Sequence, residues 1–216
     1  MGRAHAAKLV ELGYDVMLGT QDVARTHAQK KIDTTGILSF SEWYKDNASV
    51  KLGTFVEAAA HGEIVYDALR GDIALGVFKK LESSLSGKII VDIANPLDFS
   101  KGMPPPLFVC NTDSLGEQIQ VALPRVHVVK TFNTMNSDIQ VNPHKLREGD
   151  HHIFVSGNDE DAKKSVISLL SAYGWKNIID LGDIKTARGT EMLLPIWLEL
   201  YGILKTGLFN FKIIEA

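Results

Sequence analysis

Short apolar runs alternate with helix-like stretches through most of the chain, and this alternation limits the fold more than any other feature. The run at 88–93 (KIIVDI) is apolar almost throughout, which is typical of a parallel strand buried on both faces. Strand-like runs also occur at 14–19, 63–68, 126–132, 152–156 and 177–181, with helical patterns such as 72–85 and 160–173 between them. Strands that alternate with helices of this length predict an α/β fold with a doubly wound parallel sheet.

The chain opens with a helical pattern rather than with a strand. Its apolar residues recur at helical spacing up to Gly13, which suits a helix C-cap, and the strand-like run 14–19 follows. A helix that leads directly into a parallel strand is normally the second half of a strand–helix–strand unit. We therefore expect the first strand of the sheet to lie upstream of Met1 and to be missing from this sequence.

The pattern changes after residue 181. Residues 190–204 are apolar on nearly every side of a predicted helix, and 209–214 is strand-like. A helix of this kind must be buried, and the tail is too short to build a core of its own. We therefore predict a dinucleotide-binding type of domain over 1–181 and a C-terminal segment over 182–216. The segment should pack on the sheet domain and on a second copy of the chain, which makes a homodimer.

The composition and charge exclude several classes of protein. The 216 residues carry a formal net charge of −3, which does not indicate binding to nucleic acid or to an anionic membrane. No apolar run approaches the ~18 residues that span a bilayer, and no signal peptide is recognisable. The single cysteine, Cys110, cannot form an internal disulfide, which suits a reducing compartment. These features predict a cytoplasmic protein whose ligand is a small molecule.

The residues after the strand at 14–19 favour a phosphorylated ribose. Ligands of doubly wound sheets lie at the carboxyl ends of the strands, where an acidic side chain would bind the ribose hydroxyls of NAD. Here Thr20 and Gln21 are neutral, and Arg25, Lys30 and Lys31 follow, so the set suits the extra phosphate of NADP. The alternative is an ordinary polar loop followed by a solvated helix.

Two later strand ends carry amide side chains. Asn95-Pro96 and Asn133-Thr134 offer carbonyl and amide groups to a nicotinamide or another flat ring, although each alone would suit an ordinary strand-to-helix turn. The motif from Arg188 to Glu191 either faces the cleft or forms a helix cap with a local ion pair. His151-His152 is interpreted as structural. No metal site is predicted, because no paired zinc motif is present.

Several motifs, in this order, resemble the deazaflavin-dependent NADP oxidoreductase family and its bacterial dinucleotide-binding relatives: GRAHAAKLVELGYDVMLGT, DIANPLD, CNTDSLGEQIQ, VVKTFNT, and ARGTEMLLPIWLELYG with FNFKI. The resemblance covers essentially the whole chain. It implies a Rossmann domain that binds NADP and a smaller helical C-terminal part that helps to form a dimer. The implied reaction is hydride transfer between nicotinamide C4 and C5 of the deazaflavin coenzyme F-420.

The resemblance also implies roles for individual residues. Gly2 would be the last glycine of the family's Gly-x-Gly-x-x-Gly loop, whose earlier part, like the first strand, would precede Met1. Thr20, Gln21 and Arg25 would surround the ribose 2′-phosphate. Family members commonly carry Arg where this chain has Gln21, so NAD stays an alternative to NADP. The nicotinamide side would be lined by Ala68, Leu69, Asn95, Pro96 and Asn133.

No catalytic residue is named from the sequence. Hydride transfer between two flat rings needs little acid–base help, and the protein mainly orients the rings and excludes water. Two other functions stay open. The same fold could reduce a flavin, a ferric chelate or an imine, or the chain could be a nucleotide-binding or structural dimer without catalytic activity.

Overall fold

The computed structural model of the chain describes residues 1–29 and 38–216. The described residues form two compact units, which are treated separately below. The N-terminal unit is Gly2–Glu63, and the main unit is Ile64–Ala216 together with Met1. Lys30 and Lys31, which the sequence places near the ribose phosphate, lie outside the described residues.

The N-terminal unit is built on one parallel strand pair. Its elements are α1 (Gly2–Glu11), β1 (Met17–Thr20), α2 (Val23–His27), α3 (Phe40–Asp46), β2 (Lys51–Thr54) and α4 (Phe55–His61). Thr20 stands opposite Thr54 in the register of β1 and β2. The sequence pattern Thr54-x-x-Glu57 predicts a capping box, and the structure has one at the start of α4. Strand β2 was not predicted, because its four residues show too little hydrophobic periodicity.

The main unit contains a five-stranded sheet in the order β3-β4-β5-β6-β7. Its elements are β3 (Ile64–Asp67), α5 (Gly71–Lys80), α6 (Glu82–Leu85), β4 (Ile89–Asp92), α7 (Leu115–Ala122), β5 (His127–Lys130), α8 (Ser137–Val141), β6 (His152–Gly157), α9 (Glu160–Tyr173), β7 (Asn177–Asp180), α10 (Ala187–Met192) and α11 (Leu194–Leu204). The predicted α/β class is confirmed, and the helix predicted at 72–85 is divided into α5 and α6.

One junction of the sheet differs from the fully parallel arrangement that the sequence predicts. Strands β3, β4 and β5 pair in parallel, as do β6 and β7, but β6 is antiparallel to β5. Parallel strands need a long crossover, usually an α-helix. Between β5 and β6 the chain forms only the five-residue helix α8 and two short 3₁₀ turns, so β6 runs back alongside β5.

The centre of the main unit's sheet is fully covered. Ile90 and Val91 of β4 and Val129 of β5 have no exposed surface. Complete burial of such a side chain stabilises the fold by about 1.5–3 kcal/mol. Helices α7 and α9 pack on β5. Helix α9 ends at Tyr173. Its C-cap is Gly174, whose φ of 99° lies in the left-handed region that glycine adopts without strain.

The C-terminal segment leaves most of its apolar helix exposed in the single chain. The predicted helix at 190–204 is divided between α10 and α11, and Pro195, which cannot donate a backbone hydrogen bond, lies in the first turn of α11. Of α11, only Leu194 is buried, while Ile203 is 73% exposed. Residues 209–214 form no strand, although His152 N–H donates to the Phe211 carbonyl. None of the described helices is both long and apolar enough to cross a membrane.

Candidate functional site

The carboxyl ends of β3, β4 and β5 carry a row of charged residues. Asp67, Asp92 and Lys130 are the last residues of these three strands, and the register places Asp67 opposite Asp92 and Asp92 opposite Lys130. All three are buried. We call this part of the main unit, with the loops that directly follow the three strands, the strand-end edge. In doubly wound sheets it is the edge at which ligands bind.

Lys130 is the centre of a buried group of charges. Its Nζ lies 3.0 Å from Asp92 Oδ2 and 2.8 Å from Glu191 Oε1, and it donates to the Ala94 carbonyl at 2.6 Å. Burial acts to lower the pKa of Lys130, but the two carboxylates outweigh this effect and raise the pKa. Lys130 is therefore an ammonium ion. We call Asp67, Asp92, Lys130 and Glu191 the buried charge cluster.

Glu191 joins the C-terminal segment to this edge. Its carboxylate accepts hydrogen bonds from the backbone N–H of Leu115 at 2.9 Å and of Gly116 at 3.1 Å, at the start of α7. A carboxylate at a helix N-terminus is stabilised by the unpaired N–H groups and the helix dipole. Arg188 instead donates two hydrogen bonds from its guanidinium to the Glu117 carboxylate. The two charged residues of the motif thus have separate partners, and neither pairs with the other.

Asp67 has an unusual environment for a carboxyl group. Its Oδ1 accepts from the Leu69 N–H at 3.0 Å, whereas Oδ2 is buried and has no hydrogen-bond partner in the described part of the chain. Burial and the nearby Asp92 raise the pKa of Asp67 well above its ordinary value, and the Leu69 N–H and Lys130 only partly offset this rise. Asp67 therefore holds a proton much more readily than an exposed aspartic acid.

The structure brings Asn95 and Asn133 into direct contact. Asn95 Nδ2 donates to the Asn133 carbonyl at 2.9 Å, and Asn133 Nδ2 donates to Asn95 Oδ1 and to the Thr190 carbonyl, both at 3.0 Å. These bonds use both hydrogens of Asn133 Nδ2, and the Oδ1 of the same amide is a hydrogen-bond acceptor. Position 71 must be a glycine, because a Cβ there would lie 2.1 Å from the Asn95 carbonyl oxygen.

The other predicted ring-side residues lie at the same edge. Ala68 and Leu69 directly follow β3 and are half-buried, and Pro96 is buried beside Asn95. The five residues predicted for the nicotinamide side are thus placed at the ends of neighbouring strands of the main unit.

The residues predicted for the ribose phosphate belong to the N-terminal unit. Thr20 ends β1, and its hydroxyl lies 2.7 Å from that of Thr26 in α2. Gln21 and Arg25 are exposed. We call Thr20, Gln21 and Arg25 the β1 corner. Asp22 is the acidic residue nearest the strand end, and its Oδ1 accepts the Arg25 N–H as the cap of α2. Gly2 is the first residue of α1.

Sequence reasoning missed the buried charge cluster. A signal was present, since the apolar runs IVYD, IIVD and HVVK each end on a charged residue. His151, interpreted as structural, is buried against Trp175, with Nε2 3.0 Å from the Pro143 carbonyl. Within residues 1–29 and 38–216, no group of three or more His, Cys, Asp or Glu side chains is placed to hold a metal ion.

Comparison with known proteins decides the family. No protein-family model matches the chain. The crystal structure of a proposed F420-dependent NADP-reductase from Arthrobacter sp. FB24 is 48% identical, covers 99% of this chain and 95% of that chain, and has a TM-score of 0.94. The chain belongs to the F420-dependent NADP reductase family. The resemblance seen in its sequence motifs is therefore confirmed, together with the Rossmann-like fold.

Two curated relatives are similar to different shares of the chain. The F420-dependent NADP reductase of Methanocaldococcus jannaschii is 32% identical over 146 residues, which is 67% of this chain and 64% of that protein. Metalloreductase STEAP3 of Rattus norvegicus is 26% identical over 212 residues, which is 96% of this chain and 38% of that protein. The chain therefore spans less than two thirds of the length of either curated relative.

Proposed function

We propose that the protein is an NADP(H)-dependent oxidoreductase that transfers a hydride between the nicotinamide and a flat-ring acceptor such as the deazaflavin coenzyme F-420. The hydrogen-bonded pair of Asn95 and Asn133 at adjoining strand ends carries this proposal. It is supported by the likeness to the Arthrobacter protein, a proposed F420-dependent NADP-reductase.

In the main unit, we assign the nicotinamide to the strand-end edge. Asn133 Oδ1 would accept from the carboxamide of the nicotinamide, with Asn95 and Pro96 beside it and Ala68 and Leu69 at the end of β3. The nicotinamide supplies the hydride chemistry when bound. The residues of this chain orient the ring and exclude water from it, so that no acid–base side chain has to take part.

In the N-terminal unit, we assign the phosphorylated ribose to the β1 corner. Thr20 and Gln21 are neutral hydrogen-bonding residues, and the exposed Arg25 guanidinium suits the ribose 2′-phosphate, while Gly2 would lie next to the pyrophosphate at the start of α1. We therefore propose NADP rather than NAD, with binding by 1–181 and dimer formation by 182–216. A cytoplasmic location, suggested by the single exposed Cys110, is part of the proposal.

The proposed homodimer forms through α11. Ile196, Tyr201, Ile203 and Leu204 expose between 48% and 73% of their surface on this helix. Replacing Ile203 by Glu should give monomers or aggregates in light scattering, because it places a charge on the proposed contact. Val121→Glu is the matched control, since Val121 is 81% exposed on α7. An unchanged dimer in Ile203→Glu, or a monomeric wild type, would remove the idea.

The decisive experiment supplies NADPH and oxidised F-420 to the full chain and follows the loss of the deazaflavin's visible absorbance, with NADH as the matched donor. Reduction with NADPH and a much slower reaction with NADH are expected. NADPH binding without reduction of any acceptor would contradict the enzyme and leave a nucleotide-binding dimer.

A second candidate function is the reduction of a ferric chelate. It is favoured by the likeness to the rat metalloreductase over nearly the whole chain. Supplying a ferric chelate as the acceptor under the same conditions separates the two candidates. Faster reduction of the chelate than of F-420 would reverse their order.

A further inference from the structure

Each member of the buried charge cluster lies close in sequence to a residue of the proposed ring site, or to a residue that contacts one. Asp67 directly precedes Ala68, Asp92 and Lys130 each lie three residues before Asn95 and Asn133, and Glu191 directly follows Thr190, whose carbonyl accepts from Asn133. A set of charges placed in this way acts on whatever ring lies at the strand-end edge. Because the four side chains are shielded from water, the surrounding solvent screens their field only weakly.

The buried charge cluster contains more acidic side chains than basic ones. Lys130 is in contact with two carboxylates, Asp92 and Glu191, and can neutralise only one of them. The backbone N–H groups of Leu115 and Gly116 stabilise Glu191 without cancelling its charge. Lys130, Asp92 and Glu191 together therefore carry one net negative charge.

We propose that the buried charge cluster makes the site bind the oxidised, cationic nicotinamide more tightly than the reduced, neutral one. This inference rests on the proposed function, since it needs the nicotinamide to lie at the strand-end edge. The two forms of the ring differ by one positive charge, and a buried negative potential distinguishes them even where their contacts are identical.

The preference would favour one direction of the reaction. Hydride donation by the reduced cofactor turns its neutral ring into a cation, while the acceptor gains the hydride and one proton from water. The cluster stabilises the cation that this direction leaves behind. Bound cofactor is thereby shifted towards its oxidised form and bound acceptor towards its reduced form.

The test measures two dissociation constants on the full chain, for NADP⁺ and for NADPH, by fluorescence and calorimetry. Glu191→Gln keeps the shape of the side chain but removes one negative charge. We expect it to weaken NADP⁺ binding relative to NADPH binding by about tenfold, because it removes one weakly screened negative charge that attracts the cationic ring. A merely structural role for Glu191 would weaken both forms equally.

Glu117→Gln is the matched control. Glu117 also lies in the first turn of α7 and pairs with Arg188 of the same C-terminal helix, but it is not in the cluster. Its substitution should leave the ratio of the two dissociation constants within about twofold of wild type. Asp92→Asn serves as a second variant if Glu191→Gln does not fold, because it removes the other carboxylate that contacts Lys130.

Each outcome is decisive. A ratio that stays within about twofold of wild type in a folded Glu191→Gln or Asp92→Asn protein would overturn the inference while leaving the proposed function intact. Failure of the wild type to bind either form would instead contradict the proposed function, and the inference would fall with it. An equal shift in Glu117→Gln would show that the cluster is not the source of the preference.

Discussion

The β1 corner and the strand-end edge differ in how their polar groups are held. At the β1 corner, Gln21 and Arg25 extend into solvent, and Asp22 serves only as a helix cap. At the strand-end edge, Lys130 and its carboxylate partners Asp92 and Glu191 are buried and form ion pairs with one another. The exposed corner can change its ligand preference with little effect on folding, whereas at the buried edge any change of charge also changes the stability of the protein.

The largest expected effect is at the centre of the buried charge cluster. Lys130→Met leaves Asp92 and Glu191 buried without their cation, so the free energy of unfolding should fall by about 3–5 kcal/mol in urea titrations. Lys163→Met is the control, because Lys163 is also buried but its partners Glu160 and Asp180 are 71% and 38% exposed. Its loss should be about 1 kcal/mol. Equal losses would erase the distinction between buried and exposed partners.

An intermediate effect is expected from Asp67, and it depends on pH. Because the folded-state pKa of Asp67 is raised above its ordinary value of 3.8, the protonated carboxyl contributes stability that is complete below that value. This stability is lost as the pH rises towards the folded-state pKa. Asn cannot ionise, so the gain in Tm of Asp67→Asn over the wild type should increase as the pH rises above 3.8.

Asp98 gives the control for this pH dependence. A hydrogen bond from the Ser100 side chain lowers the pKa of this exposed carboxyl, so its contribution is present above 3.8 and lost as the pH falls. Asp98→Asn should therefore show no gain in Tm over the wild type as the pH rises. A parallel gain in both variants would mean that general charge repulsion, and not burial of Asp67, is responsible.

The smallest effect on folding is expected at the β1 corner. Arg25→Ala should weaken NADPH binding by about tenfold, since it removes a charge-assisted contact with the 2′-phosphate, and should leave NADH binding unchanged. Unfolding should stay within about 0.5 kcal/mol of wild type, as for other exposed positions. Arg125→Ala, at an exposed arginine paired with Glu82, is the control for loss of charge. Equal weakening of NADPH and NADH would contradict phosphate recognition by Arg25.

The sequence predicts local structure well wherever neighbouring residues decide it. The apolar run at 88–93 contains β4, and the Thr54 capping box starts α4, because strand burial and helix capping depend on residues only a few positions apart. The positions of Asn95 and Asn133 also follow, since parallel strands end at one edge. The antiparallel pairing of β6 does not follow, because it depends on how the chain turns between 131 and 151.

The sequence by itself therefore determined the α/β class, the strand ends at which a ligand would lie, and the family. Only the tertiary structure decided the partners of Lys130 and Glu191, the proton affinity of Asp67 and the exposure of α11. The physical reason is distance along the chain. Capping and periodicity act within one or two turns, whereas Lys130 and Glu191 meet only because the sheet and α10 bring them together, and burial then sets the strength of their interaction.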